Sequence, residues 1–131
     1  MWTPPEPGDI VWCRFPTRAR DLPGPKPRPA LVLQVTRRED GVSVTVAYGT
    51  SQRVDSLMAG EVAIRKVSNP TAYQLAGLSY DTKFALRTTV ELPWNDTFFG
   101  VPPVPRHGQC PKLGSLHASL MKAFAAAARA L

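Results

Sequence analysis

No apolar run in the chain approaches the roughly 20 residues that a membrane-crossing helix needs, so no segment is expected to enter a membrane. The opening Met-Trp-Thr-Pro-Pro lacks the basic-then-apolar profile of a secretion signal, which predicts a cytoplasmic protein. Cysteine is scarce. Cys13 and Cys110 are the only two in 131 residues, and in that compartment both are expected as reduced thiols. Histidine is equally rare. His107 and Cys110 have a ligand-like gap, but Cys13 and His117 do not complete the closely paired spacings of a zinc site, so no metal and no cofactor are expected. A glycine-rich loop followed by lysine is missing, as is any carboxylate cluster, which argues against nucleotide hydrolysis. Acid is in short supply too: 10 Asp+Glu stand against 16 Lys+Arg, for a net charge of +6. Such a balance favours anionic partners, although solubility alone also accounts for it.

What the chain has in abundance is proline, 14 of 131, against an average usage of about 5%. Internal prolines remove a hydrogen bond and clash with the preceding turn, so short strands and loops should dominate. One domain is expected at this length, spanning residues 1–131. Ile10 to Phe15 reads as a first strand, with Trp12 and Phe15 taken mainly as core. From Pro16 to Pro29 the chain is a long proline-rich loop carrying Arg18, Arg20, Lys26 and Arg28, with Arg14 just before it and Asp21 the only acid. Loops of this length inside compact domains are usually functional. Ala30 to Val35 reads as a buried strand, Arg37 to Gly41 as a hairpin turn, and Val42 to Tyr48 as the returning strand. Gly49-Thr50-Ser51 then breaks the pattern where backbone can approach a ligand. Further strands are expected at Glu61–Ile64, Phe84–Leu86 and Thr88–Leu92, then loop from Pro93 to Pro111. From Ser115 onward Leu116, Leu120, Phe124, Ala127 and Leu131 recur at helical intervals. The pattern is mainly β, a small and strongly bent antiparallel sheet or barrel with a C-terminal helix.

Three segments together carry more than the pattern does: Pro7-Gly8-Asp9-Ile10-Val11-Trp12, then Lys26-Pro27-Arg28-Pro29-Ala30-Leu31-Val32-Leu33, then Ala47-Tyr48-Gly49-Thr50-Ser51-Gln52. In this order they resemble the MazF/PemK family of toxins from type II toxin–antitoxin systems, over roughly residues 7 to 52 and more weakly to about residue 92. The resemblance implies an SH3-like barrel with a C-terminal helix. It also implies a homodimer acting as a metal-independent, sequence-selective endoribonuclease on single-stranded RNA until a cognate antitoxin protein covers the groove. Carried over by position, the catalytic arginine falls on Arg28 and its hydroxyl partner on Thr50, with Ser51 as the adjacent candidate. The proline-rich first loop and the long segment from Trp94 to Pro111 depart from the family pattern.

The residue types suit that chemistry. When RNA is cut by its own 2′-hydroxyl, the protein must orient the attack and stabilise charge on the phosphorane. An arginine keeps its charge and offers paired planar donors that match phosphate oxygens, and Arg28 is fixed between Pro27 and Pro29. Thr50 can hydrogen-bond a phosphate oxygen or position the hydroxyl, while a side-chain-capped turn is the commoner use of such a residue. With a pKa above 12, arginine is a poor base, so the general base stays unassigned. Arg14, Arg18, Arg20, Lys26 and Gln52 are candidates for gripping RNA, and Trp94 and Phe98 for stacking on its bases. Two other readings stand beside this one. One is a non-catalytic barrel that binds nucleic acid, DNA included, or a protein target such as DNA gyrase; the other is an interaction module whose proline-rich loops dock a partner.

Overall fold

The computed structural model describes residues 2–16 and 22–131. Its strands are β1 (Asp9–Cys13), β2 (Arg28–Arg38), β3 (Gly41–Thr50), β4 (Glu61–Ile64), β5 (Thr82–Pro93) and β6 (Lys112–Ser115), with helices α1 (Pro70–Ala76) and α2 (Met121–Arg129). The strands form one antiparallel sheet in the order β4-β5-β3-β2-β1-β6. Three register shifts bend it: at Ile10/Val11 against β6, at Val32/Gln34 between β2 and β3, and at Ala47/Tyr48 between β3 and β5. An extra residue on one side of a ladder bends and twists its strand. The sheet is therefore strongly curved but not closed, with β4 and β6 as its edges.

Side chains alternate across a strand, and this sheet is covered on both faces. Ile10, Leu31 and Ala47 point to a core shared with Ala72 and Ala76 of α1 and Phe124 of α2. Val11, Cys13, Val32 and Val46 point the other way, to a core closed by Trp94, Phe98 and Phe99. Burial on both faces explains the continuous apolar run over Ala30 to Val32, but the buried strand expected to reach Val35 emerges beyond it, where Leu33 and Gln34 are exposed.

Three expectations need correction. The segments expected separately at Phe84–Leu86 and Thr88–Leu92 are one bulged strand, β5. The helix expected from Ser115 begins later, because Lys112–Ser115 forms edge strand β6 and a 3-10 turn at Ala118–Leu120 precedes α2. Helix α1 was not foreseen at all. Its ends carry the usual asymmetry of proline at the start and glycine past the end, with Gly77 left-handed at φ 71°. A Cβ on Gly77 would lie 2.0 Å from the Leu113 carbonyl oxygen, so α1 ends with its backbone against β6.

Candidate functional site

The start of β2 and the end of β3 lie side by side. Ala30 pairs with Tyr48 at the end of their ladder, so Arg28 and Thr50 each lie two residues beyond that pair on neighbouring strands and line one cleft. Gly49 is what permits the approach: a Cβ there would lie 2.2 Å from the Pro29 carbonyl oxygen. Half-buried Arg28 lies over the Tyr48 ring at 5.7 Å from its centroid, and Tyr48 meets Phe15 edge-on at 5.2 Å. The cation–π contact rests the guanidinium on a ring that is itself anchored in the core. Thr50 accepts a hydrogen bond on Oγ1 from the Gln52 amide at 3.1 Å, so it caps its turn and leaves its own hydroxyl proton free to donate.

These residues border an open cleft of about 410 Å³. Lys26, Arg28, Thr50 and Ser51 line it together with Trp12, Tyr80, Pro102, Pro103 and Arg106. Among the described residues the lining holds three cations, Lys26, Arg28 and Arg106, and no carboxylate or imidazole. No described carboxylate forms an ion pair with any of the three. Unopposed like charges in a concave, partly apolar site focus a positive potential that draws in an anion.

Of the residues singled out from the sequence, Arg28, Thr50, Ser51 and Lys26 come together here. Gln52 is exposed beside the cleft and supplies the amide to Thr50. Arg14 is half-buried outside the lining, its amide donating to the Phe98 carbonyl and its guanidinium beside Gly100. Arg18 and Arg20 lie outside the described residues. Trp94 and Phe98 must be reassigned: at 7% and 6% exposure they are core, Trp94 packing on Phe99 at 4.6 Å, and neither presents a ring to a base. The sequence reading missed Arg106 and Tyr80, which come from segments with no periodic pattern to mark them.

Other titratable groups are committed elsewhere. Burial pushes the Cys13 thiol up to about 12, with Arg14 opposing, so it is inert; Cys13 and Cys110 are both free. His117 caps the 3-10 turn, its Nδ1 accepting from the Ser119 amide at 3.0 Å. Burial and then Asp81 push the Tyr73 phenol up, while Arg106 pulls it down. Among the described residues no three His, Cys, Asp or Glu side chains gather as a metal would require, and no helix is long and apolar enough to cross a membrane.

Residues 6–89 match the family described as PemK-like, MazF-like toxin of type II toxin–antitoxin system. The chain belongs to this toxin family. A comparison with curated proteins finds no match. The matched span holds Arg28, Thr50 and Ser51; Pro102, Pro103 and Arg106 lie beyond it. Membership implies a cognate antitoxin as partner.

Proposed function

We propose that this PemK/MazF-like toxin is an endoribonuclease that cuts single-stranded RNA, without a metal, through attack of the 2′-hydroxyl on the neighbouring phosphorus. The observation that carries the reading is the cleft in which Arg28 and Thr50 meet with cations and hydroxyls and no described carboxylate. As the new O–P bond forms, the 2′-hydroxyl loses its proton; as the 5′-oxygen leaves, it gains one. The products are a 2′,3′-cyclic phosphate and a 5′-hydroxyl. Arg28 stabilises charge on the phosphorane oxygens through paired donors. Thr50, fixed by its bond from Gln52, donates its proton to a phosphate oxygen, with Ser51 beside it. Lys26, together with the basic loop that precedes it, holds the backbone. The toxin would work in the cytoplasm as a homodimer, and its antitoxin would lay an extended acidic or apolar segment across the cleft.

The test is incubation with mixed-sequence RNA in EDTA, beside Arg28→Ala, with end-group analysis of the products. Cleavage leaving cyclic phosphate is expected, and Arg28→Ala should slow it by roughly 100-fold or more, the usual effect of deleting one transition-state donor, with the melting temperature unchanged. A folded Arg28→Ala that cuts at the wild-type rate would sink the assignment. Salt-sensitive binding without cleavage would favour the non-catalytic barrel with nucleic acid or a protein such as gyrase as target. Absence of salt-sensitive binding would favour the docking module.

A further inference from the structure

The cleft is larger and more apolar than a phosphodiester requires. Besides Arg28 and Thr50, its lining includes Trp12, Leu78, Pro102 and Leu113, together with the exposed Tyr80 and Arg106. Leu78, Pro102 and Leu113 are buried, Trp12 is half-buried, and Tyr80 is 72% exposed. Apolar side chains lining the same cleft as cations and hydroxyls suit an unpaired base turned out of the strand, since single-stranded RNA is read by stacking and by hydrogen bonds to base edges.

The strap that carries Arg106 is held at both ends by one residue. The Gly100 amide donates to the Trp12 carbonyl at 3.2 Å, and the Trp12 amide donates to the Pro111 carbonyl at 2.9 Å. Between those anchors Pro102, Pro103 and Pro105 fix their backbone angles, so Arg106 is carried on a stiffened strap whose two ends are tied to Trp12, a residue that lines the same cleft. Arg106 is exposed and forms no ion pair among the described residues. A guanidinium offers paired donors and no acceptor. On the Hoogsteen edge guanine presents two adjacent acceptors, O6 and N7, whereas adenine sets an amino donor beside its N7.

We propose that Trp12, Tyr80 and Pro102 form a nucleobase pocket next to the scissile phosphate, and that Arg106 selects guanine there. The inference rests on the nuclease reading for its biological setting but can be tested apart from it. Cut sites are mapped by sequencing 5′-hydroxyl ends from random-sequence RNA for the wild type, Arg106→Ala, Arg106→Lys and Tyr80→Ala. In parallel, anisotropy measures binding of uncleavable 2′-deoxy oligonucleotides with or without guanine.

The wild type should show guanine at one position flanking the cut. Arg106→Ala should lose roughly 10- to 100-fold of that preference, read as the ratio of cutting beside guanine to cutting beside the other bases, and Arg106→Lys, lacking the planar fork, should not restore it. Tyr80→Ala should weaken binding of every oligonucleotide. Unchanged selectivity in Arg106→Ala overturns the proposal, as does uniform weakening on all sequences with a shallower salt dependence, which would make Arg106 a phosphate contact. If the wild type cuts nothing yet prefers the guanine oligonucleotide through Arg106, the pocket stands and the nuclease reading falls. A wild type with no guanine preference removes the pocket whether or not it cuts.

Discussion

At Gly49 the chain has no room for a methyl group. A Cβ would lie 2.2 Å from the Pro29 carbonyl oxygen and 2.8 Å from a carbon of the Phe84 ring. Both neighbours are constrained, one as backbone of β2 and the other as a fully buried side chain. Overpacking of this kind typically costs about 1–3 kcal/mol. Gly49→Ala is therefore expected to lower the thermal unfolding midpoint and, by prising β3 from β2, to separate Thr50 from Arg28 and reduce cleavage even where the protein stays folded. Calorimetry beside a cleavage assay checks both; a midpoint equal to wild type would show that the strands yield without cost. The sequence marked Gly49 as a place where backbone could approach a ligand, whereas what lies close is the chain's own Pro29 carbonyl, through a strand neighbourhood set by the long-range pairing of Ala30 with Tyr48 that no local pattern states.

Among the elements, α2 is held chiefly through Phe124, buried and tilted against Phe84 at 6.4 Å, and through Leu120 just before it. Phe124→Ala removes that anchor, at about 3–5 kcal/mol if the site does not collapse. Amide exchange across Met121–Arg129 should then rise toward the unfolded rate while β2 and β3 stay protected; retained protection of the helix would show that its alanines hold it without the aromatic. The 3.6-residue stripe made this helix legible, as the two apolar runs did for β2 and β3. What stayed hidden was short or interrupted. Helix α1 has seven residues, too few for a periodicity to register, though Pro70 and Gly77 mark its ends. Strand β6 has four, one of them Gly114, where a Cβ would meet the Leu75 carbonyl at 2.1 Å; its reason for being a strand is the partner β1, not its own propensity. Trp94 and Phe98 illustrate the same limit, since aromatics in a proline-rich loop read as surface until the open face of the sheet is seen to need a cover.

Across the whole molecule, one ion pair couples stability to acidity. Lys83 of β5, 7% exposed, reaches Glu61 of β4 at 2.9 Å and the Ser56 carbonyl at 3.1 Å, while the Glu61 carboxylate also accepts from the Met58 amide at 2.8 Å. Burial alone would push the Glu61 carboxyl up; the Met58 and Lys83 bonds outweigh it and hold it below the ordinary range. A carboxyl whose folded value lies below its unfolded one contributes stability above the unfolded value, about 4.3, and that contribution is lost as pH falls through the lower folded value. Denaturant midpoints should therefore fall on acidification below about pH 4, and Glu61→Gln should flatten that limb; an unchanged slope would place the acid sensitivity elsewhere.

The pairing of β1 with β6 sets Asp9 opposite Ser115, so one edge of the first strand in the chain stays open until the last strand is made. Trp12 likewise waits for Pro111, and the wall that carries Arg106 hangs between the two. During synthesis, then, Arg28 and Thr50 emerge from the ribosome long before the cleft around them can exist. A nascent copy holds its charged residues on an unfinished surface, and the cleft is complete only once the chain from Pro102 to Leu113 has joined it.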